Sequence, residues 1–199
     1  MASMVGMDFK NSCHPELVSG SKIHEIESMQ KIPLRIMIFG RSGGGKSTFA
    51  LKLHKHCNIP LYHLDKHFFE SNWVERDYQE FLEIQQKIVN FETWIIDGNA
   101  VRSLEMRYCR ADLVLYFNYP RWLCYWRSVK RLFNKDSQID DRAPYCRETI
   151  SFRLLCYMWG FEKRVASQIT FLKDIYPQAK FIELRSDENL RELEKELLK

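Results

Sequence analysis

A glycine-rich segment near residue 40 limits the fold of this chain more than any other feature of its sequence. Residues 39–48 read FGRSGGGKST and directly follow the apolar run LRIMI. Glycine loses more backbone entropy on folding than any other residue, so three in succession indicate a tight turn or a close approach of the backbone to a ligand. Gly40, Gly45, Lys46 and Ser47 have the spacing of a P-loop, the phosphate-binding turn between a strand and a helix.

The residue types in this loop suit a nucleoside triphosphate bound with Mg²⁺. Glycines allow backbone N–H groups to turn around an anion, and the helix that begins near Lys46 directs its positive dipole end to the same place. We expect Lys46 to bridge the β- and γ-phosphates, Ser47 to ligate Mg²⁺ and Thr48 to support the α-phosphate. The predicted ATP site comprises Gly40, Arg41, Ser42, Gly43, Gly44, Gly45, Lys46, Ser47 and Thr48.

Apolar runs and helical patterns alternate after this loop. Five runs are typical of parallel strands buried on both faces: LRIMIF (34–39), LYHL (61–64), TWIID (93–97), LVLYF (113–117) and KFIEL (180–184). Residues 46–57, 77–90 and 187–198 carry apolar side chains at helical spacing, and Ser186 or Asp187 is the expected N-cap of the last helix. This alternation predicts an α/β fold, a P-loop NTPase of three α/β/α layers around a five-stranded parallel sheet.

Two regions differ from this pattern. Residues 1–31 lack sustained periodicity and are predicted to be a poorly ordered N-terminal extension, so that residues 32–199 form the P-loop domain. Residues 121–175 are rich in helical pattern without a strand, and we expect them to form a helical lid. Four aromatic residues at near-helical spacing should pack the lid helices on the core: Trp122, Trp126, Tyr157 and Trp159.

Composition and charge narrow the functional classes. No run approaches the roughly 20 apolar residues of a membrane span, and the N-terminus shows no secretory signal, so we expect a cytoplasmic protein without a membrane partner. The net charge is +4, and residues 120–165 hold ten Lys or Arg against five Asp or Glu. This local excess indicates recognition of phosphate, either in a nucleotide or in a nucleic acid.

The segment WIIDGN contains a candidate for the metal site. Asp97 ends the third predicted strand, where an unpartnered buried carboxylate would be costly, and we expect it to hold Mg²⁺ through water. Gly98 and Asn99 follow it, in place of the Glu with which motor ATPases activate water. The chain also lacks the guanine-specific pattern Asn-Lys-x-Asp. Both features favour phosphoryl transfer over nucleotide hydrolysis by a motor or a GTPase.

The order of motifs in residues 34–199 resembles that of the adenylate-kinase-like P-loop proteins named the DNA topology modulation protein family. The matching stretches are GRSGGGKST, HLDKHFF, WIIDGN, LEMR, ADLVLYF, YPRWLCYWRSVKR and IELRS. The resemblance implies an adenylate-kinase-like fold with ATP and Mg²⁺ as cofactors. The family's name suggests an alternative, a nucleotide-dependent regulatory ATPase or DNA-associated protein without small-molecule kinase activity.

Two arginines at the start of the predicted lid match the adenylate kinase superfamily. Arg127 and Arg131 follow Pro120 by seven and eleven residues. The resemblance implies that Arg127 packs on the adenine and that Arg131 reaches the phosphates. Their i, i+4 spacing places both on one helix face, and a guanidinium group can both pair with phosphate and stack on an aromatic ring.

The acceptor side of the predicted site departs from adenylate kinases. Phe68 and Val101 stand where those enzymes carry arginines that clamp AMP, which weakens a prediction of nucleoside monophosphate kinase activity. Asp65 is similar to the aspartate that holds an acceptor hydroxyl in uridine-kinase-like and shikimate-kinase-like enzymes, and such a carboxylate can accept the hydroxyl proton. Asn99 and Arg107 are further candidates for contact with the acceptor.

Nearby aromatic and histidine residues leave alternatives open. The aromatic residues Phe68, Phe69 and Trp73 either wall an acceptor pocket or belong to the core. His54 and His56 are two residues apart and therefore do not share a helix face. No pair of histidines or cysteines has convincing spacing for zinc ligands, and we do not predict a zinc site.

The sequence therefore predicts an ATP- and Mg²⁺-dependent P-loop kinase. It would move the γ-phosphoryl group to a small hydroxyl or phosphate acceptor, with a nucleoside or nucleotide as the first candidate. The predicted catalytic residues are Lys46, Asp65, Arg127 and Arg131, the acceptor residues Asp65, Asn99 and Arg107, and the Mg²⁺ residues Ser47 and Asp97. Nucleic acid is the alternative partner, and the phosphates of bound ATP account for the basic segment equally well.

Overall fold

A five-stranded parallel sheet organises the chain. Its strands are β1 (Arg35–Gly40), β2 (Leu61–His63), β3 (Trp94–Asp97), β4 (Leu113–Phe117) and β5 (Lys180–Leu184), in the spatial order β2-β3-β1-β4-β5. Every neighbouring pair is parallel. The central strand β1 therefore carries the glycine-rich loop to the carboxyl edge of the sheet, between the ends of β3 and β4, where open α/β sheets bind their ligands.

The structure is a computed structural model, and it describes residues 33–133 and 152–198. The helices are α1 (Lys46–Cys57), α2 (Leu64–Phe68), α3 (Tyr78–Val89), α4 (Leu104–Tyr108), α5 (Arg121–Phe133), α6 (Phe152–Trp159), α7 (Phe161–Ile175) and α8 (Asp187–Leu197). The predicted N-terminal extension, residues 1–31, and part of the predicted lid lie outside the described residues. None of the helices in the described ranges is long and apolar enough to span a bilayer.

The side chains of β1 alternate between two apolar layers. Ile36 and Ile38 pack with α1 and α8, whereas Met37 and Phe39 pack with α3, α4 and α7. A strand whose successive side chains meet helices on opposite faces has no polar alternation, which explains its continuous apolar sequence. The predicted three-layer α/β/α fold with five parallel strands is confirmed.

The predicted element boundaries agree with the structure to within one or two residues. The helix α3 begins at Tyr78 because Asp77 is its N-cap, with a side chain that accepts hydrogen bonds from the N–H groups of Gln79 and Glu80. Ser186 is the N-cap of α8 and accepts from the N–H of Asn189. Leu64, predicted as the end of a strand, is the first residue of α2.

The prediction that lid aromatic residues pack on the core is wrong for three of the four residues. Trp122, Trp126 and Trp159 are 70%, 63% and 62% exposed, whereas Tyr157 is partly buried against the core. The opposite side of α5 carries the small residues Cys124 and Ser128, which are buried close to the glycine-rich loop. Small side chains allow the helix backbone to approach this loop, and the large tryptophans of α5 consequently lie on its outer side.

Candidate active site

The glycine-rich loop contacts neighbouring backbone most closely at two positions, and only glycine fits at either of them. Gly40 has φ 139°, and a Cβ there would lie 2.3 Å from the carbonyl oxygen of Phe117 on β4. Gly43 has φ 78°, and a Cβ there would lie 2.3 Å from the carbonyl oxygen of Cys124 on α5. L-residues rarely adopt such positive φ angles. These two glycines let the loop fit between β4 and α5.

Hydrogen bonds from the outer part of the loop hold it in place. The N–H of Gly40 donates to Asn99 Oδ1 at 2.9 Å, and the N–H of Arg41 donates to the Phe117 carbonyl at 3.2 Å. The N–H of Gly44 closes a turn on the Arg41 carbonyl. The first N–H groups of α1, from Lys46 onward, have no acceptor within their own helix, as at any helix start. The loop therefore presents the positive end of α1 as an anion site.

Lys46 is buried at the centre of the predicted site. Its Nζ donates to the carbonyl oxygen of Arg41 at 3.1 Å. Burial lowers the pKa of Lys46, and the negative charges of Asp97 and then Asp65 oppose this effect, while the positive charge of Arg131 adds to it. Three predicted site residues from different segments of the chain thus act electrostatically on the ammonium group of Lys46.

Asp97 is buried at the end of β3, with only one of its two carboxylate oxygens hydrogen-bonded. Oδ2 lies 3.0 Å from His63 Nδ1, and Oδ1 has no hydrogen-bond partner among the described residues. A buried carboxylate oxygen without a donor is costly, and a hydrated cation would satisfy it.

The residues near Asp97 determine how a metal ion could be held at this site. No group of three or more His, Cys, Asp or Glu residues in the described part of the chain is arranged to hold a metal ion by itself. Mg²⁺ is typically bound by one or two protein oxygens together with nucleotide phosphates and water. Asp97, with Ser47 at the start of α1, fits Mg²⁺ held in this way.

Asp65 lies in the first turn of α2, which directly follows β2. It is exposed, and its charge raises the pKa of Lys46 and contributes to the raised pKa of Tyr157, after the larger effect of burial. Asp65 is therefore near both the loop lysine and the partly buried tyrosine of α6. This position is open to solvent and suits a group that meets a diffusible acceptor.

The two lid arginines differ in their surroundings. Arg127 Nη2 donates to both carboxylate oxygens of Asp187 at 2.7 Å, and the guanidinium carbon lies 5.0 Å from the centre of the Tyr119 ring. This hydrogen bonding lowers the pKa of Asp187. Arg131, one turn further along α5, is exposed and lies within electrostatic reach of Lys46. Arg127 thus faces the turn after β5, whereas the charge of Arg131 lowers the pKa of Lys46 in the loop.

Arg41 lies within the predicted nucleotide site by sequence, but its side chain contacts α6, α7 and the segment that follows β4. It is 2% exposed, and it donates hydrogen bonds to the carbonyl oxygens of Tyr119 and Met158 and to Glu162 at 3.4 Å. Its own N–H is bonded to β4. In this structure Arg41 connects the glycine-rich loop to α6 and α7.

Asn99 and Arg107 support the backbone beside the site. Asn99 accepts the hydrogen bond from Gly40, and Arg107 donates to the carbonyl oxygens of Gly98 and Ala100 at 3.0 and 2.9 Å. Arg107 has no exposed surface, and burial lowers its pKa to about 10. The contacts of both residues are with the loops of the protein, which leaves their predicted contact with the acceptor a proposal.

The aromatic residues after Asp65 pack with one another. Phe68 makes edge contacts with Phe69 and with Phe81 of α3, at 4.8 and 5.0 Å between ring centres, and Phe69 contacts Trp73 at 5.1 Å. Phe68 also packs against the buried core, whereas Trp73 is exposed. Phe68 therefore packs on the edge of the core, Phe69 is likewise half-buried, and of the three rings only Trp73 is exposed.

His63 is a residue of this site whose role the sequence did not predict, because the sequence offered it only as a possible zinc ligand without convincing spacing to another. Its position in the run LYHL indicates only a strand residue, and its partner Asp97 is 34 residues away. The signal lies in the pairing of β2 with β3, which sets His63 opposite Asp97 in register. That pairing cannot be read from either segment alone.

Comparisons with known proteins support the fold. No protein-family model matches the chain, and no curated protein matches it either. Among solved structures, it is similar to a shikimate kinase from Bacteroides thetaiotaomicron, with 16% identity, a TM-score of 0.52, and coverage of 83% of this chain and 98% of that one. At this identity the likeness shows the fold alone, which is that of P-loop kinases.

Two further structures have lower TM-scores. A shikimate kinase from Aquifex aeolicus is 16% identical with a TM-score of 0.47, and covers 82% of this chain and 96% of its own. A deoxyadenosine kinase from M. mycoides, solved with bound dATP, is 12% identical with a TM-score of 0.44, and covers 83% of this chain and 100% of its own.

Proposed function

We propose that this protein is an ATP- and Mg²⁺-dependent phosphotransferase. It moves the γ-phosphoryl group of ATP to a small hydroxyl or phosphate acceptor, and nucleosides and nucleotides are the first acceptors to consider. The observation that carries the proposal is the buried Lys46 in a P-loop at the carboxyl edge of the sheet, in electrostatic contact with Asp97, Asp65 and Arg131. This combination would supply a phosphate cradle, a metal carboxylate, an acceptor carboxylate and a positive charge in one place.

The nucleotide is held by the loop and by α5. Backbone N–H groups at the start of α1 and the Lys46 ammonium bind the β- and γ-phosphates. Ser47 and Asp97 hold Mg²⁺, which when bound neutralises charge on the phosphate oxygens. Arg127 stacks on the base with the face of its guanidinium group, while the edge of that group pairs with Asp187, and Arg131 neutralises the charge that develops on the transferred group.

The acceptor is oriented by Asp65. In the proposed step the acceptor oxygen forms a bond to the γ-phosphorus, the bond between that phosphorus and the β–γ bridging oxygen breaks, and ADP leaves. Asp65 takes the proton of an acceptor hydroxyl. Asn99 and Arg107 hold the loop that follows β3 beside this position. A hydroxyl acceptor is favoured because Phe68, which packs on the edge of the core, occupies the place of one AMP-clamping arginine.

The test is ADP release from ATP and Mg²⁺ against a panel of nucleosides, nucleotides, sugars and small hydroxy acids. At least one acceptor should raise the rate above background, and Asp65→Asn should lower that rate by about 10²-fold or more without changing ATP affinity. Lys46→Met should abolish the activity. If no acceptor raises the rate, or if ADP release persists at the wild-type level in Lys46→Met, the proposal is wrong.

A second function, at the surface of a nucleic acid, has one observation in its favour. Trp122 and Trp126 are exposed on α5 beside the exposed residues Lys130 and Arg131. Exposed aromatic rings among basic side chains are typical of surfaces that stack single-stranded bases. Together with the motif order shared with DNA topology modulation proteins, this supports a DNA-associated role as the alternative. Single-stranded DNA should then bind with an affinity that falls steeply with salt, and Trp122→Ser should weaken it.

A further inference from the structure

His63 and Asp97 face each other at the carboxyl edge of the sheet. His63 is the last residue of β2 and Asp97 the last of β3, and the parallel register of these strands pairs them directly. Their side chains are 10% and 5% exposed, and His63 Nδ1 lies 3.0 Å from Asp97 Oδ2. Because a carboxylate only accepts hydrogen bonds, the ring nitrogen is the donor.

This hydrogen bond limits how the carboxylate can turn. With Oδ2 held, the remaining freedom of Asp97 is small, and Oδ1 is the oxygen left buried without a partner in the described ranges. The pKa values of Lys46 and Arg107 are lowered mainly by burial, and in both cases the charge of Asp97 is the strongest opposing effect. The charge of Asp97 therefore acts on two buried cations, and an imidazole that holds one oxygen limits the rotation of the carboxylate.

We propose that His63 is a positioning residue for the metal site. Its Nδ1–H orients Asp97 so that Oδ1 remains available to Mg²⁺ and its water, and so that Lys46 remains available to phosphate. An imidazole is suited to this task because in its neutral form it donates a hydrogen bond without cancelling the charge of the carboxylate. The inference rests on the proposed function, since it assumes that Asp97 and Ser47 serve a metal–nucleotide complex.

The experiment moves or restores the hydrogen-bond donor at position 63. His63→Asn keeps an amide nitrogen near the place of Nδ1, whereas His63→Gln moves it one bond further away. His54 provides the matched control, because its Nδ1 is also hydrogen-bonded, to the Ile59 carbonyl at 2.6 Å, on the far end of α1. Calorimetry on the whole chain measures the dissociation constant of ATP twice, once in EDTA and once in saturating Mg²⁺. The ratio of these two dissociation constants, which is the Mg²⁺-dependent gain in ATP affinity, is then compared between variants.

We expect His63→Gln to weaken only the Mg²⁺-dependent part of ATP binding. Changes in groups that orient metal ligands typically cost 10- to 100-fold in metal affinity, so His63→Gln should reduce the Mg²⁺-dependent gain in ATP affinity by about tenfold or more. The constant in EDTA should change by less than about twofold, and His63→Asn should recover most of the gain. His54→Gln should leave both constants at wild-type values.

Two results would overturn the inference while leaving the proposed function intact. One is an unchanged Mg²⁺-dependent gain in His63→Gln; the other is an equal loss in His63→Asn and His63→Gln. Wild-type protein that binds no ATP with Mg²⁺ would instead remove the proposed function, and this inference with it.

A measurement on the wild-type protein covers the case in which His63→Gln does not fold. In nitrogen spectra of histidine-labelled protein, the Nδ1–H signal of His63 should move when Mg²⁺ is added to the ATP complex, and the signal of His54 should not. A His63 signal that is insensitive to Mg²⁺ would count against the inference.

Discussion

Gly43 offers the sharpest test of how the glycine-rich loop and the lid are built together. Replacing it with alanine adds one methyl group at φ 78°, 2.3 Å from the Cys124 carbonyl oxygen and 2.6 Å from Ser128 Oγ. Ordinary contact begins at 3.4 Å, so the shortfall to the carbonyl is 3.4 minus 2.3, or about 1.1 Å. The obstacle is helix backbone, which cannot rotate away as the end of a flexible side chain can.

Gly45→Ala is the control that separates the cost of the positive φ angle from the cost of the close contact. Gly45 has φ 90°, but a Cβ there would meet nothing within 4 Å. Gly45→Ala should therefore lose only the backbone preference, about 1–2 kcal/mol. Gly43→Ala should lose this amount and a further 1–3 kcal/mol or so for forcing α5 away from the loop, a total of about 2–5 kcal/mol.

Urea unfolding at 25 °C, followed by tryptophan fluorescence and circular dichroism, measures both losses. The reasoning is refuted if the free energies of unfolding of the two variants agree within about 0.5 kcal/mol, because the contact with Cys124 would then have no energetic weight. A displaced α5 also carries Arg127 and Arg131 with it. Where both variants fold, Gly43→Ala should therefore weaken ATP binding more than its loss of stability alone explains.

Three further predictions concern charged groups. Burial lowers the pKa of Lys46 because the buried site disfavours its charged form. Lys46→Met should therefore leave the melting temperature unchanged or higher, while it weakens ATP binding about 30-fold or more. A large loss of stability would contradict this prediction. Arg41→Met leaves two buried carbonyl oxygens without their donor, and it should lower the free energy of unfolding in urea by about 2–4 kcal/mol. The control is Arg121→Met, at a half-buried arginine 3.9 Å from Glu162, which should lower it by less than about 1 kcal/mol. Equal losses in the two variants would contradict the connecting role of Arg41. Arg127→Gln should cost no more than about 1 kcal/mol at pH 7, because its pair with Asp187 is largely exposed. Since hydrogen bonding lowers the pKa of Asp187 in the folded state, this contribution is present above the unfolded carboxyl pKa of about 3.9 and is lost as the pH falls through the lower folded value; a difference that does not shrink as the pH falls below the unfolded value would contradict the assignment.

The strands, the main helices and the P-loop could be predicted from the sequence because their signals are local. The apolar run of β1 and the glycines and lysine after it lie within fifteen residues, and their spacing alone specifies a strand, a tight turn and a helix start. The same holds for α1, whose predicted range of 46–57 is the one observed. Asp97 was recognisable as a site candidate because a carboxylate at the end of a buried strand is costly without a partner.

The contacts that shape the site depend on the tertiary structure. His63 meets Asp97 only through the register of β2 and β3. Arg41 belongs by sequence to the glycine-rich loop, yet its guanidinium group is bonded to the carbonyl oxygens of Tyr119 and Met158.

The face that a helix buries is likewise not settled by its own pattern. In α5 the large tryptophans indicated a buried face, but the close approach of the glycine-rich loop at Gly43 is possible only against small residues, and the tryptophans lie outside. Periodicity within a segment therefore specifies an element, whereas its orientation and its polar partners are set by neighbours distant in the chain, because packing and hydrogen bonding are satisfied only once those neighbours are in place.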